Sequence, residues 1–233
     1  MGGVTNYRLV FGLSADPVHS GHVEMVVQST LRLAERGFGI VDVLLVPVYR
    51  RNPVGSAKER LPASYRHRLA MCRLAAQEIA ERLAAPQAYV RASALEAALA
   101  QNRRQPNYTA ETLALLKLRS KPGTGLIFLI SSELVAGPNP QLARWYRPEL
   151  ILRLAILAIC PRPGYGVNQR FVAAIKEAGA GVVVLPQVVT SDVASTDVRR
   201  LLKAGHSPLA LARRGWLTPS VARFLQTHNP YLL

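Results

Sequence analysis

Short runs of valine, isoleucine and leucine punctuate the chain: YRLVFGL (7–13), IVDVLLVPV (40–48), AYVRAS (88–93), TGLIFLIS (124–131), RLAILAIC (153–160) and AGVVVLP (180–186). Several are apolar at consecutive positions instead of alternating, the pattern of strands covered on both faces. Between most of them the period lengthens. In SGHVEMVVQSTLRLAERG (20–37), residues Val23, Val26, Val27, Thr30, Leu31 and Ala34 fall on one helical face, and Gly37 supplies a stop. PASYRHRLAMCRLAAQEIAERLA (62–84), NYTAETLALLKLRS (107–120) and NQRFVAAIKEAG (168–179) read as further helices. Strands alternating with helices predict an α/β fold, a Rossmann-like doubly wound parallel sheet with right-handed crossovers. The stretch after the last strand carries two or three short helices and no strand. The expected organisation is one domain over 1–233, with an α/β core over about 1–193 and a helical C-terminal segment over about 194–233. In such sheets ligands gather at the carboxyl ends of the strands, where the strand order switches.

Length and composition narrow the class. With 233 residues, 49% of them hydrophobic, a full core can form and disorder is excluded. No apolar run approaches the ~20 residues that cross a bilayer. The opening MGGVTNYRLVFG has no basic and apolar signal pattern, so the default expectation is a cytoplasmic protein without a membrane partner. Cys72 and Cys160 sit far apart in apolar surroundings and read as buried small hydrophobes. The 29 basic against 14 acidic residues favour polyanionic partners. The arginines are scattered along helices, however, and the short Arg pairs are not interleaved with aromatics. A phosphate-binding cleft fits that distribution better than a nucleic-acid groove.

The chemistry concentrates in GLSADPVHSGH (12–22), between the first strand and the first helix. A strand-to-helix junction aims free backbone N–H groups and the positive end of the helix dipole at one spot, which suits an anion. Gly12 and Gly21 allow close backbone approach, Asp16-Pro17 sets a turn, and His19 and His22 add imidazoles on neighbouring sides of the first helical turn. No G-x-x-x-x-G-K-[ST] run is present, and the turn is not G-x-G-x-x-G. The same spacing also suits a pair of histidines capping an ordinary helix, or a metal site lacking its third ligand.

ADPVHSGH resembles the HxGH signature of the nucleotidylyltransferase superfamily, and ASTDVRR (194–200) resembles its second motif, SSTxIR. SYRHRLAMCRLA, PNYTAETL, LIFLISSELV, ARWYRPELILR, ICPRPG and LTPSVARFLQTHNPYL resemble the bacterial nicotinate-nucleotide adenylyltransferases along nearly the whole chain. That resemblance implies AMP transfer from ATP to nicotinate mononucleotide, giving deamido-NAD and pyrophosphate. It places ATP on Gly12, Ser14, Asp16, His19, Gly21, His22, Ser195, Thr196 and Arg199, with His19, His22 and Arg199 as the catalytic residues. Ser195 and Thr196 would occupy a helix N-cap. On the acceptor side it implies Lys58, Tyr108, Thr109 and Trp145, the indole stacking on a pyridine ring. Arg68 reads as structural. Only four Asp occur, at 16, 42, 192 and 197. No protein metal ligand is therefore assigned, and Mg²⁺ is expected to bind mainly through ATP phosphates, with Asp16 the nearest carboxylate. A homo-oligomer is left open.

Departures from the family pattern bear on the acceptor. Ala15 stands for an aromatic in GTFDP, Ser131 and Glu133 for Gly and Asp in GADSL, and Ala194 for the first serine of SSTxIR. Lys58 follows NPVGSA where the family has PPHK. The same chemistry on nicotinamide mononucleotide or another phosphorylated acceptor, and a catalytically impaired nucleotide-binding module, are the alternatives. Cytidylyl transfer fits less well, since that branch carries an RTxGISTT-type second motif.

Overall fold

The computed structural model of the protein describes residues 6–50, 61–84, 88–101, 106–186, 188 and 192–232. Six parallel strands form its sheet: β1 (Asn6–Leu13), β2 (Gly39–Pro47), β3 (Tyr89–Ala92), β4 (Thr124–Ser131), β5 (Ile156–Cys160) and β6 (Val182–Val184). Their order is β3-β2-β1-β4-β5-β6, so the chain reverses its direction of travel between β1 and β4. This is the doubly wound α/β arrangement expected from the alternation, and it puts the switch point at the end of the first strand.

The consecutive apolar positions follow from helices on both faces. Leu9, Phe11, Val43, Leu45, Ile127 and Leu129 point to one layer, built by α1 (Ser20–Glu35), α2 (Tyr65–Leu83), α7 (Ser195–Lys203), α8 (Pro208–Arg213) and α9 (Pro219–Thr227). Their neighbours Val10, Leu44, Val46, Leu126, Phe128 and Ile130 point to the other, built by α3 (Leu95–Ala100), α4 (Thr109–Leu118), α5 (Pro148–Leu154) and α6 (Gln169–Glu177). With period two, each strand must be apolar at every position to feed both layers. The helical C-terminal segment folds back onto the first layer, where α9 packs on α2 and α8.

Three expectations shift. Helix α1 buries Met25 and Leu33 beside its valines, while Leu31 is 40% exposed and Ala34 faces outward, because α2 as well as the sheet covers the helix. The run RLAILAIC splits: Pro148 at the first turn starts α5, which runs to Leu154, and β5 begins only at Ile156. Helix α3 and two 3-10 turns, Ser132–Val135 and Gln141–Arg144, have no strong period in the sequence. Cys72 and Cys160 are buried free thiols, and burial pushes the Cys160 pKa up to about 12.

Candidate active site

The junction after β1 is held tightly. Ala15, at φ +57°, and Asp16, Pro17 and Val18 are all buried, whereas Gly12 is exposed. A Cβ on Gly12 would meet only the Phe128 ring edge at 3.7 Å, an ordinary contact. Nothing in the protein itself demands glycine there, so its bareness leaves that backbone open from the solvent side. His19 is the N-cap of α1 and forms a capping box with His22, whose Nδ1 accepts from the His19 backbone N–H at 3.2 Å. The two imidazoles lie face to face, with centroids 3.7 Å apart and planes at 33°. His19 is 6% exposed, and its Nδ1 is buried without a hydrogen-bond partner. Burial, then His22, then Arg162 hold its pKa well below 6.5, so the ring is neutral at pH 7. His22 is the more open of the pair. No acidic side chain lies in the first turn of α1 to oppose an anion.

The second motif comes to the same turn. Ser195 Oγ donates to the Pro17 carbonyl at 3.1 Å. Arg199 Nη1 donates to the Asp16 carbonyl at 2.5 Å, and its Nη2 to Thr196 Oγ1 at 3.3 Å. Residues about 180 positions apart thus meet at one edge of the sheet. Their roles within the helix differ from expectation. Ala194 is the N-cap of α7, Ser195 and Thr196 fill its first turn, and no side chain caps it. Ser195 is spent on Pro17, while Thr196 is exposed. Two helix N-termini therefore flank the turn, that of α7 with no capping side chain and that of α1 with the His19–His22 capping box.

Asp16 does not face a ligand. Its carboxylate is fully buried, with Oδ1 accepting from Tyr231 Oη at 2.9 Å and from the Ala63 N–H at 3.2 Å. The expected place near a metal is corrected on that ground: the oxygens are turned inward, against the C-terminal tail and the start of α2. Arg68, 3% exposed, donates to the carbonyls of Ser14, Val48 and Ala63 at 3.0, 2.6 and 3.2 Å, as its structural reading anticipates. Ser14 is thus fixed through its carbonyl, and Gly21 is buried in α1. Ser20 Oγ ties the start of α1 to the carbonyls of Gly215 and Trp216.

On the β2 side, Asn107 clasps the residue after the β2 exit: its N–H and Oδ1 pair with the backbone of Arg50, both at 3.1 Å. Tyr108 is the N-cap of α4 and Thr109 its first residue. The Tyr108 ring stacks on Tyr146 at 4.3 Å, an aromatic partner that sequence reasoning missed. Trp145 is half-buried and packs 6.3 Å from Phe128, so its indole already has a protein neighbour. Beneath Thr109 lies a recess of about 20 Å³ lined by Gly12, Glu96, Thr112 and Phe128, room for one water and not for a ring. Lys58 lies outside the described residues.

Beyond β4, Ser131 accepts from the Glu133 N–H and Ser132 Oγ from the Arg162 N–H. Glu133 and Arg162 form a partly exposed ion pair. Glu133 edges an open groove of about 400 Å³ lined also by Gly137, Gln141, Arg144 and Tyr165. Arg162 went unassigned in the sequence. Its place just past the carboxyl end of β5, beside the switch point, was the available signal. Among the described residues no three His, Cys, Asp or Glu side chains gather as a metal cage, and no helix is long and apolar enough to cross a membrane.

Sheet order, the bare first turn and the cationic second motif brought against it define an α/β enzyme that handles nucleotide phosphates. The sequence profile of cytidylyltransferase-like proteins matches residues 10–201. The "Probable nicotinate-nucleotide adenylyltransferase" of Dechloromonas aromatica is 29% identical over 240 residues, covering 95% of this chain and 96% of that one. The protein of the same name from Laribacter hongkongensis is 30% identical, covering 95% and 93%. Among solved structures, the nicotinic acid mononucleotide adenylyltransferase of Plasmodium falciparum, complexed with NaAD, superposes with a TM-score of 0.66 at 16% identity over 97% of each chain. The chain belongs to the cytidylyltransferase-like family of nucleotidyltransferases.

Proposed function

We propose that the protein transfers AMP from ATP to nicotinate mononucleotide, giving deamido-NAD and pyrophosphate in NAD biosynthesis. The observation that carries this reading is the meeting of the two motifs at the Asp16–Pro17 turn, in a chain whose relatives over 95% of its length bear that activity in their names. A phosphate oxygen of the acceptor forms a bond to the α-phosphorus of ATP as the bond to the bridging oxygen of pyrophosphate breaks. The electron pair leaves with pyrophosphate, and no covalent enzyme intermediate is needed. Catalysis is therefore positioning and charge stabilisation.

In this scheme the triphosphate lies between the N-termini of α1 and α7. His22 donates to a phosphate oxygen. The unpartnered nitrogen of His19 gains a partner only when the anion arrives. Arg199 turns its fork from the Asp16 carbonyl to the phosphates, and Thr196 adds a hydroxyl at the open face. The acceptor lies across the switch point, over Tyr108, Thr109 and Trp145. The donor set fits a divalent cation carried by the nucleotide, since the described side chains form no carboxylate cage and Asp16 is occupied internally. Mg²⁺ would come with the nucleotide, without a carboxylate cage from the protein, and would supply charge neutralisation on the leaving group.

Purified protein given ATP, Mg²⁺ and nicotinate mononucleotide releases pyrophosphate and deamido-NAD, and nicotinamide mononucleotide reacts with lower kcat/KM. Equal or higher kcat/KM on the nicotinamide compound overturns the acceptor assignment. Absence of pyrophosphate with every pyridine mononucleotide overturns the transfer itself.

A further inference from the structure

The C-terminal tail of the chain reaches the site from behind. Helix α9 ends at Thr227, and the turn that follows is closed by the Tyr231 N–H donating to Asn229 Oδ1 at 3.0 Å. It buries the Tyr231 ring to 3% exposure in the same apolar layer as α1 and α2. The phenol oxygen ends 2.9 Å from Asp16 Oδ1, across 215 residues of sequence. Asp16 is fully buried, and its two oxygens are treated differently. Oδ1 takes both donors, Tyr231 and the Ala63 N–H, while Oδ2 is buried without a hydrogen bond, 3.9 Å from Arg199 Nη1.

That inequality has a mechanical consequence. Two donors on Oδ1 fix the carboxylate plane and keep Oδ2 just outside hydrogen-bond range of the guanidinium. Arg199 is consequently held on a neutral carbonyl, that of Asp16, and its second nitrogen on Thr196. With one donor gone, the carboxylate can rotate until Oδ2 closes a charge-assisted bond to Arg199, stronger than the carbonyl bond it replaces. A guanidinium captured in that way is withdrawn from any phosphate.

We propose that Tyr231 is a positioning residue for nucleotide binding and transfer. By holding the Asp16 carboxylate on Oδ1, it keeps Arg199 available to the triphosphate. The proposal rests on the phosphate site described above, but not on the identity of the acceptor. At 3% exposure the Tyr231 ring, packed in the core, offers no surface to a substrate. Burial first, then the adjacent Asp16, raises its pKa, so the hydroxyl remains a donor across the working pH range.

The test compares Tyr231→Phe, which keeps the ring, with the wild type in the presence and absence of Arg199→Ala. Two quantities are read: the Kd of ATP by calorimetry without acceptor, and the steady-state constants with nicotinate mononucleotide. Tyr231→Phe is expected to weaken ATP about tenfold, the scale of one hydrogen bond to a charged group. The KM of the acceptor should move less than about twofold, since the acceptor side is not coupled to Asp16. In the Arg199→Ala background, adding Tyr231→Phe should change ATP affinity by less than about twofold. Equal fold-losses in both backgrounds, or unchanged ATP affinity in the single variant, overturn the proposal. If Tyr231→Phe does not melt cooperatively, Asp16→Asn replaces it. The amide oxygen still accepts from Tyr231, but no carboxylate charge faces Arg199, so ATP affinity must hold or rise, and a tenfold loss overturns the idea. A wild type that binds ATP but releases no pyrophosphate sinks the proposed function and leaves this cycle readable; a wild type that binds no ATP sinks both.

Discussion

Glu96 offers a quantitative check on how the acceptor side is built. Its carboxylate is 7% exposed, with Oε2 accepting from the Tyr49 N–H at 2.8 Å and Oε1 lying 3.2 Å from Thr112 Oγ1. Its own carbonyl accepts from Asn107 Nδ2 at 3.0 Å, so the side chain and backbone of one residue join the β2 exit to the start of α4. Burial pushes its pKa from 4.5 up to about 7; the Tyr49 and Thr112 bonds and the positive charge of Arg68 offset only part of that. Between pH 4.5 and 7 the folded protein therefore holds a proton that the unfolded chain has released, and stability falls as pH rises through that window. A difference of about 2.5 pH units at ~1.36 kcal/mol each amounts to roughly 3 kcal/mol. Glu96→Gln keeps an acceptor for Tyr49 and cannot ionise. Urea unfolding of both proteins from about pH 4 to 8.5 isolates the group, because every other titration is shared. Near pH 4 the two should be about equally stable. By about pH 8 the Gln variant should have gained roughly 3 kcal/mol on the wild type, or on the order of 7 °C in Tm for a chain of this size. A stability difference that stays flat across the range would refute the buried, proton-holding carboxyl.

Three further outcomes follow from the phosphate side. His22→Ala should lower kcat about a hundredfold, the usual loss when one donor to developing charge is removed, and pyrophosphate release at saturating ATP measures it; an unchanged kcat would remove His22 from the mechanism. His19 is neutral when the site is free because burial, His22 and Arg162 depress its pKa, and an arriving polyphosphate raises it. ATP binding should therefore take up protons, more at about pH 6 than at pH 8, and calorimetry in two buffers of different ionisation enthalpy reads the number; no proton uptake at either pH would refute the coupling. Arg68→Met keeps most of the buried volume but strips three carbonyls of their donor, and should cost about 3 kcal/mol in denaturant unfolding; a loss under ~1 kcal/mol would show that those bonds carry little.

What the chain makes legible before folding is local. TGLIFLIS matches β4 residue for residue, because an apolar run that feeds two core layers has no polar position to blur its ends. His19, His22, Ser195 and Arg199 stand out since each sits at a strand-to-helix transition whose backbone alone suggests an anion. RLAILAIC misleads at its start because Arg153 and Leu154 suit a strand as well as the last turn of α5. Asp16, placed near the metal from its neighbourhood in sequence, is claimed by Tyr231 from 215 residues away. Arg68, Glu96 and Arg162 belong to the same class. Apart from the Arg68 bond to Ala63, five residues back, they meet their partners 20 to 54, 11 to 47 and 29 to 30 residues away, and nothing in the local pattern pairs the two ends of such bonds.

Those distant bonds explain how a chain of net charge +15 keeps a cationic cleft folded before any anion enters it. Arg68, Arg162 and Arg199 all stand near the turn that bears His19, and each has acceptors supplied by the protein: three carbonyls for Arg68, Glu133 for Arg162, one carbonyl and the Thr196 hydroxyl for Arg199. The three differ in how readily they give those acceptors up. Arg68 is buried and holds three backbone carbonyls at once, so it is a strut. Arg162 and Glu133 are 28% and 26% exposed as side chains, and a pair that accessible contributes at most about 1 kcal/mol. Arg199, 27% exposed, has only neutral hydrogen-bond acceptors to leave, the Asp16 carbonyl and the Thr196 hydroxyl, with the Asp16 carboxylate 3.9 Å away. An incoming anion thus displaces weak internal partners at two positions and meets a rigid frame at the third. A single negative charge gains little from such an exchange. In the proposed reaction a triphosphate would engage both guanidiniums and the two helix N-termini at once, so the residues that hold the cleft together would also select for the charge density of the nucleotide.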